Sequence, residues 1–401
     1  MLRFSASAAS MRSSAIRELM SLATRPDMIS FAGGMPGNNL FPVAEMDEIY
    51  NKLSLEVKRI GFQYGPTTGY PPLLEALQDY LRQKGMPVDS NNLIITTGSL
   101  QAINIVAKVF IDPNDRVILE NPAFIGAISA FKSYQAALDP IPIDDDGIIL
   151  TELQAALQKK KPKAKLLYIT PYFHNPAGIL YNAQRKTDLL ELLKKEDIVL
   201  LEDDAYGELY FNAADKELTR PMKTMNSGAL PICYTSSFSK YIGPGLRLGW
   251  LLAPPEIAEK CELAKQSFDA CSSTFTQVLA HEFLVQNKMQ AYLEKMRVIY
   301  ARRAHTMLNA LQENMPEGLT WTKPRGGFYI WVSLPDKMDS TEILKKSIAN
   351  GAVFVIGSTF DPLGVKNDCL RLAFSHTPEE QIEKGIKIIA EALKQQMVKK
   401  K

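Results

Sequence analysis

Short runs that are almost wholly apolar alternate with stretches of helical periodicity through the middle of the chain. Residues 93–97, 116–120, 166–170, 198–203, 232–236 and 249–253 are the strand candidates, bounded by Gly, Pro, Asn and Asp. Runs without polar alternation belong to strands covered on both faces, the usual state of a parallel sheet. Parallel strands need long crossovers, and residues 100–110, 183–195 and 256–268 carry the helical spacing that supplies them. The pattern changes after about Ala280, where a long charged helical stretch through Arg303 leads to strand-like segments at 327–332 and 370–375. Together these predict an α/β fold, a mostly parallel sheet covered by helices, with a smaller α+β domain after it.

A length of 401 residues fits two domains better than one core, and the lack of a repeat or low-complexity linker predicts close packing between them. Lys plus Arg number 46 against 44 Asp plus Glu, a formal net charge of +2. That balance gives no broad field for gathering nucleic acid or anionic lipid, which turns attention to small-molecule chemistry. No segment has the uninterrupted apolar run of a membrane helix, and the first residues lack the apolar core of a secretory signal. A cytoplasmic location is expected. Residues 1–17 share the Ser-, Ala- and Arg-rich, acid-free composition of transit peptides. An ordered arm is predicted instead, because Ser13-Ser14-Ala15-Ile16-Arg17-Glu18-Leu19 has the spacing of a helix start and leads into Gly33-Gly34. Cys233, Cys261, Cys271 and Cys369 are scattered without C-x-x-C spacing and are read as reduced, mostly buried thiols.

In doubly wound sheets ligands bind beyond the carboxyl ends of the strands, so the residues that follow each run carry the chemistry. After 93–97 come Gly98-Ser99-Leu100-Gln101 and a helix, whose first N–H groups and Ser99 hydroxyl suit a phosphate; Ser99 alone also reads as a plain helix cap. Asn175-Pro176-Ala177-Gly178 follows 166–170 and by itself is a turn. Asp203 and Asp204 close the run at 198–203, with Tyr206 just beyond. They read equally as an Asx-turn beside a packed tyrosine or as a carboxylate set to meet a cation.

The sharpest local signal is Ser237-Phe238-Ser239-Lys240 followed by Gly243-Pro244-Gly245-Leu246-Arg247. A lysine in such a loop is usually solvated. Here two hydroxyls and an arginine flank it, an arrangement suited to a phosphate monoester beside an amine. In Leu370-Arg371-Leu372-Ala373-Phe374-Ser375, alternation places Arg371 on one face with Ala373 and Ser375. That leaves room for a carboxylate, although an exposed edge-strand arginine gives the same pattern.

Taken in order over nearly the whole chain, these segments resemble the class I and II aminotransferases of the fold type I pyridoxal-phosphate family. Ala15-Ile16-Arg17-Glu18-Leu19, Ile29-Ser30-Phe31-Ala32-Gly33-Gly34 and Tyr64-Gly65-Pro66-Thr67-Thr68-Gly69 are most similar to the 2-aminoadipate and kynurenine aminotransferase group. The resemblance implies a large cofactor-binding domain at 45–285, a small domain at 286–401, and residues 1–44 as an N-terminal arm with part of the small domain. It implies pyridoxal 5′-phosphate held as a Schiff base on Lys240. Asp203 would pair with the protonated pyridine nitrogen, Asn175 and Tyr206 would bond the ring's 3-oxygen, and Phe124 would stack on the ring. Ser99, Leu100, Gln101, Ser237, Ser239 and Arg247 would form the phosphate cradle. Arg371, with Asn175 and Gly34 beside it, would take the substrate α-carboxylate. Tyr64 would reach a phosphate in the neighbouring subunit, which implies a homodimer.

The residue types suit that chemistry. The cofactor draws electrons only while its ring nitrogen stays protonated, a state a buried carboxylate enforces. Lys240, with an unperturbed pKa of about 10.4, must serve as nucleophile and then as base, and desolvation together with the charge of Arg247 would lower it. Arg371 would orient the α-carbon by a bidentate grip on the carboxylate. Ala177 stands where many relatives have Thr and Phe124 where many have Tyr, departures that remove hydroxyls near the ring; Pro72 follows Pro71 where an acidic residue is more common.

The implied reaction transfers the amino group of an L-amino acid (2-aminoadipate, aromatic or aliphatic) to a 2-oxo acid such as 2-oxoglutarate. Arg17 from the arm, or else Arg325, would read a distal carboxylate, while Tyr70, Phe328 and Tyr329 would admit aromatic or aliphatic side chains. A pyridoxal-phosphate carbon–sulfur lyase would use the same lysine, aspartate and phosphate groups. A non-catalytic cofactor-binding regulatory module would call for a basic helix-turn-helix segment, and none precedes Ser13.

Overall fold

The computed structural model describes residues 3–10, 19, 25, 27–89, 91–159, 162–226, 228, 230–335 and 338–398. The helix start expected at 13–19 lies outside the described residues apart from Leu19, and Arg17 lies outside them too. In chain order, β1 (Ile29–Ser30) precedes the strands of one large sheet. These are β2 (Leu93–Thr96), β3 (Arg116–Asn121), β4 (Ala137–Asp144), β5 (Gly147–Ile148), β6 (Ala164–Ile169), β7 (Val199–Asp204), β8 (Ile232–Ser237) and β9 (Gly249–Leu252). Their order across the sheet is β2, β9, β8, β7, β6, β3, β4, β5. The ladders from β8 through β7, β6 and β3 to β4 are parallel; β9 and β5 run the other way.

Every apolar run picked out by pattern is a strand of this sheet, and the alternation of side chains explains why none shows a polar face. Leu166, Tyr168, Val199 and Leu201 pack with the helices Ser99–Phe110, Ile125–Ser133 and Pro255–Gln266. Their neighbours Leu167, Ile169 and Leu200 point through the sheet to the helices Leu150–Leu157 and Ala183–Leu193. The pattern missed β4, whose sequence carries Pro140 and Pro142. Two residues apart, both prolines turn their nitrogens to the same side, away from β3, where the Pro142 carbonyl accepts from Ile149 N at 3.0 Å. A strand next to the edge tolerates them there.

The second unit holds β10 (Thr320–Trp321), β11 (Tyr329–Ser333), β12 (Ala352–Val353), β13 (Val355–Ile356) and β14 (Cys369–Ala373). An antiparallel sheet runs in the order β10, β11, β14, β13, and β1 pairs in parallel with β12. The helices Lys288–Asn314, Ser340–Ala349 and Glu379–Val398 accompany it. One apolar cluster joins the two units, since Tyr172, Tyr234 and Trp250 belong to the same core as Phe328, Ile330, Leu370, Leu372 and Met296. The four cysteines are unpaired, Cys233 and Cys261 buried and the other two half-buried, as read from their spacing. No helix among the described residues is long and apolar enough to cross a membrane.

The parallel strands β6, β7 and β8 end at one edge of the sheet, together with β2. Because β9 is reversed, its first residue arrives at that same edge, where Gly249 lies against backbone on two sides. A Cβ on Gly249 would stand 2.6 Å from the Ser236 carbonyl oxygen and 2.8 Å from the Gly98 carbonyl carbon. Gly249→Ala should therefore push β8 and the Gly98 turn apart and lower stability by about 1–3 kcal/mol, the usual scale of overpacking. A urea-unfolding midpoint equal to that of the parent chain would show that this edge is looser than drawn.

Candidate active site

The crossing from β8 to β9 is built to stop a strand abruptly. Ser237 keeps extended backbone, and its Oγ accepts from Ser239 N at 3.1 Å, capping the short turn Phe238–Lys240. Phe238 N donates to the Leu248 carbonyl at 3.0 Å, which closes the loop behind the turn. Lys240 is thereby held in a cavity of about 330 Å³, together with Asp203, Tyr206, Asn175 and Arg371. Its Nζ donates to the Gly34 carbonyl at 2.7 Å. Burial, then the positive charges of Arg371 and Arg247, bring the amine down to about 8, against the pull of Asp203. Sequence reasoning named burial and Arg247; Arg371 is the larger of the two charge effects.

Asp203, the last residue but one of β7, is buried. The Tyr168 hydroxyl, from the neighbouring strand β6, donates to its Oδ2 at 2.8 Å, while Oδ1 has no hydrogen-bond partner among the described residues. Burial pushes this carboxyl up to about 7, with Asp204 and Glu120 adding to the rise and Tyr168 and Lys240 opposing it. The adjacent Asp204 is structural, since it accepts from Gly207 N at 2.7 Å and from the Tyr234 hydroxyl at 2.7 Å. Of the two open readings of the aspartate pair, the Asx-turn describes Asp204 and the carboxylate awaiting a cation describes Asp203.

Arg371 is no edge residue. Its strand β14 lies between β11 and β13, and the side chain is 2% exposed. Nη1 donates to Asn175 Oδ1 at 2.9 Å and Nη2 to the Ala32 carbonyl at 2.5 Å, while Nε is buried without a partner among the described residues. The guanidinium lies between two rings, 4.5 Å from the centroid of Tyr329 and 4.7 Å from that of Phe360. Asn175 is fixed from behind by its neighbour, since His174 Nε2 sits 3.2 Å from Glu120, a buried carboxylate that also accepts from Thr170 N and the Tyr181 hydroxyl.

At the other end of the cavity Ser99, Ser237, Ser239 and Arg247 gather at the first turn of the helix Ser99–Phe110, with Leu100 and Phe124 as an apolar wall. Arg247 Nη2 donates to the Thr97 carbonyl at 3.0 Å, which holds the guanidinium beside that turn. This is the shape of an anion site made of a helix start, hydroxyls and a cation.

Four expectations are corrected. Gln101 does not line the cavity: its Oε1 accepts from Thr97 N at 2.7 Å and its Nε2 donates to Asp269 at 2.7 Å, so its amide is spent bracing the turn. Arg325 pairs with Asp215 outside the cavity and leaves half its side chain in solvent. Phe328 is fully buried core, packed on Tyr206 and Tyr300, and Tyr70 also lies away from the cavity wall. Tyr64 is a separate case: its expected place is the phosphate of a neighbouring subunit, and in the single chain it is 85% exposed and outside the cavity. Gly34 does line it.

Sequence reasoning missed Tyr168 and Asp269, and it named Tyr329 only as an apolar wall, not for its hydroxyl. A tyrosine inside an otherwise apolar parallel strand was the available signal for Tyr168, because a buried hydroxyl needs a partner. The Tyr329 hydroxyl reaches that of Tyr206 at 2.9 Å. Asp269, paired with the fully buried Lys265, accepts from both Gln101 and Thr97, a contact between distant segments that no local pattern announces.

An amine of lowered pKa, a carboxyl with one bare oxygen and an anion cradle share one enclosed space. Pyridoxal phosphate meets each need: its phosphate suits the cradle, its protonated ring nitrogen suits Asp203 Oδ1, and its aldehyde suits Lys240. No group of three or more ligating side chains suited to a metal ion occurs among the described residues.

Known proteins agree with that fit. The family model described as aminotransferase class I and II matches residues 34–389. The aromatic-amino-acid aminotransferase 1 of Thermococcus litoralis is 38% identical over 400 residues, covering 99% of this chain and 95% of that protein. The crystal structure of Pyrococcus horikoshii kynurenine aminotransferase superposes with a TM-score of 0.92 at 37% identity, covering 98% of this chain and 97% of the other. The α-aminoadipate aminotransferase of Thermus thermophilus, solved with N-(5′-phosphopyridoxyl)-L-leucine, gives 0.90 at 33% identity and 98% coverage of both chains. The chain belongs to the class I and II aminotransferases, and it is a pyridoxal-phosphate-dependent transaminase.

Proposed function

We propose that the enzyme moves the amino group of 2-aminoadipate and of aromatic or aliphatic L-amino acids to a 2-oxo acid such as 2-oxoglutarate, with Lys240 Nζ as the central amine. The observation that carries this reading is that Lys240, the bare oxygen of Asp203 and the buried fork of Arg371 open into one cavity. When bound, the cofactor supplies an aldehyde that exchanges amines and a ring that withdraws electrons from the substrate α-carbon.

The protein's own residues do the rest. Ser99, Ser237, Ser239 and Arg247 hold the phosphate, Leu100 and Phe124 wall the ring, and Asp203 Oδ1 keeps the ring nitrogen protonated. Asn175 and Tyr206 bond the 3-oxygen. Arg371 takes the α-carboxylate, beside Gly34 and Asn175, and fixes the α-carbon within reach of Lys240. Lys240 Nζ, lowered to about 8 so that a useful fraction is neutral at physiological pH, removes the α-proton and returns it. The donor class is supported by the names of the relatives above and by the leucine adduct that one of them binds. Tyr64, exposed in the single chain, is assigned to the phosphate of a second copy, which makes the enzyme a homodimer with shared sites. Residues 45–285 are taken as the large domain and 286–401, with part of 1–44, as the small one. Arg17 is assigned to a distal carboxylate.

Lys240→Ala should lower transamination by roughly 10³-fold or more. Borohydride treatment of the parent holoenzyme, followed by peptide mass spectrometry, should find the cofactor fixed at Lys240; attachment at another lysine would sink the assignment.

The lowered amine also sets a pH dependence. Only the neutral form attacks an aldehyde, so the cofactor-free protein should capture pyridoxal phosphate faster as pH rises, with half the limiting rate near pH 8. A rate still climbing near pH 10, as an unperturbed lysine at about 10.4 requires, would contradict the site drawn here.

With 2-oxoglutarate as acceptor, 2-aminoadipate, leucine and phenylalanine should all turn over, and glutamate should turn over when the 2-oxo acid of leucine is the acceptor. Arg17→Ala should cut kcat/KM about tenfold or more for the dicarboxylic donors alone. Equal losses across these donors would remove Arg17 from substrate recognition.

A further inference from the structure

Tyr329 and Tyr206 come from different parts of the fold, β11 and the loop after β7, and their hydroxyls lie 2.9 Å apart in a hydrogen bond in which either can donate. Their rings meet edge to face, with centroids 5.7 Å apart. Tyr329 is 1% exposed, yet it lines the active cavity. Three neighbours fix its position. Arg371 covers its ring face at 4.5 Å, Phe328 packs beside it, and Gly34 approaches so closely that a Cβ there would stand 1.9 Å from the Tyr329 hydroxyl oxygen. That same Gly34 carries the carbonyl to which Lys240 Nζ donates. A phenol held this firmly, with its hydroxyl against another phenol and inside the reacting cavity, is more than core packing.

We propose that Tyr329 is a positioning residue whose hydroxyl donates to the Tyr206 oxygen and so keeps the Tyr206 proton directed at the cofactor. The inference rests on the assignment of Tyr206 to the cofactor's 3-oxygen. A phenol has one proton to give. If Tyr206 spends it on the 3-oxygen, its own oxygen is left as an acceptor, and Tyr329 is the hydroxyl within reach. The reverse direction would turn the Tyr206 proton away from the cofactor. A bond received at the Tyr206 oxygen also polarises its O–H, and chained hydrogen bonds strengthen one another in a low-dielectric site. Tyr329 therefore ties the second sheet, which carries Arg371, to the residue that sets the basicity of the 3-oxygen.

The test is the acid–base midpoint of the visible chromophore of the holoenzyme. A donor at the 3-oxygen stabilises its negative charge, so losing that donor makes the oxygen more basic and raises the midpoint. Tyr206→Phe should raise it by about one pH unit, the scale of one hydrogen bond. Tyr329→Phe should raise it by about 0.3 unit, roughly twofold in the protonation equilibrium, since it weakens that bond without removing it. The double variant should sit where Tyr206→Phe alone sits, because the two changes act on one bond.

Tyr329→Phe keeps the ring under Arg371 and against Gly34, so Tm and the KM for amino acids should stay near the parent values. A merely structural role would move those two and leave the midpoint in place, which would overturn the proposal. So would a Tyr329→Phe shift that adds in full on top of Tyr206→Phe. If Tyr206→Phe itself leaves the midpoint unmoved, the assignment of Tyr206 fails and this inference falls with it. If only Tyr329→Phe leaves it unmoved, Tyr206 stands and Tyr329 is lost.

Discussion

Asp203 sits near the end of β7 with the Tyr168 hydroxyl on Oδ2 and an open Oδ1, in surroundings that hold its carboxyl near 7. Taking an ionised carboxylate out of water costs several kcal/mol unless a cation or a set of donors meets it. The fold meets only half of that need. Lys240 is drawn toward Asp203 electrostatically, yet its Nζ donates to Gly34 instead. The remaining half is a place for one N–H carrying positive charge, and a protonated pyridine nitrogen would suit it. β6 and β7 hold the acceptor in place, with the Tyr168 hydroxyl of β6 on its Oδ2.

Charge in the rest of the cavity follows the same logic. Lys240, Arg247 and Arg371 share the cavity with the carboxyl of Asp203, and after burial the two arginines lower the proton affinity of the amine. On the proposed assignment, a phosphate beside Arg247 and a substrate carboxylate beside Arg371 would bring the balance back, each anion with its own arginine. Arg247 stands at the helix start with the serines, and Arg371 stands on the second sheet between two aromatic faces.

Much of this was legible in the sequence because it depends on local rules. Apolar runs without alternation marked strands covered on both faces, and the sheet places Ser99, Asn175, Asp203, Ser237 and Lys240 just past the ends of such runs, where ligands bind. What resisted reading depends on distant partners. Gln101 sits at the position of a phosphate ligand by family resemblance, but Asp269, just past the helix Pro255–Gln266, takes its amide. Phe328 and Tyr329 are adjacent and read alike as hydrophobic wall. Alternation along the chain turns Phe328 into the core and Tyr329 into the cavity, and only the position of the loop carrying Gly34 decides which way each points. Pro140 and Pro142 hid β4 because the open side of that strand is not a property of its own sequence.

The distance from Lys240 to Arg371 is the last consequence of this build. One residue closes the short turn after β8 of the large sheet, and the other lies in the middle of the antiparallel sheet, so no single element sets their spacing. It is set by the shared apolar core and by polar ties that cross between the units, among them Asn175 to Arg371 and Tyr206 to Tyr329. An error of about 1 Å in such a spacing is enough to cost on the order of a hundredfold in rate. A polar tie is directional where apolar packing is not, so the bond from Arg371 Nη1 to Asn175 Oδ1 helps orient the guanidinium fork. Selection on either sheet alone could not hold that orientation. The residues that bridge the sheets are as much a part of the catalytic geometry as those that touch the reacting atoms.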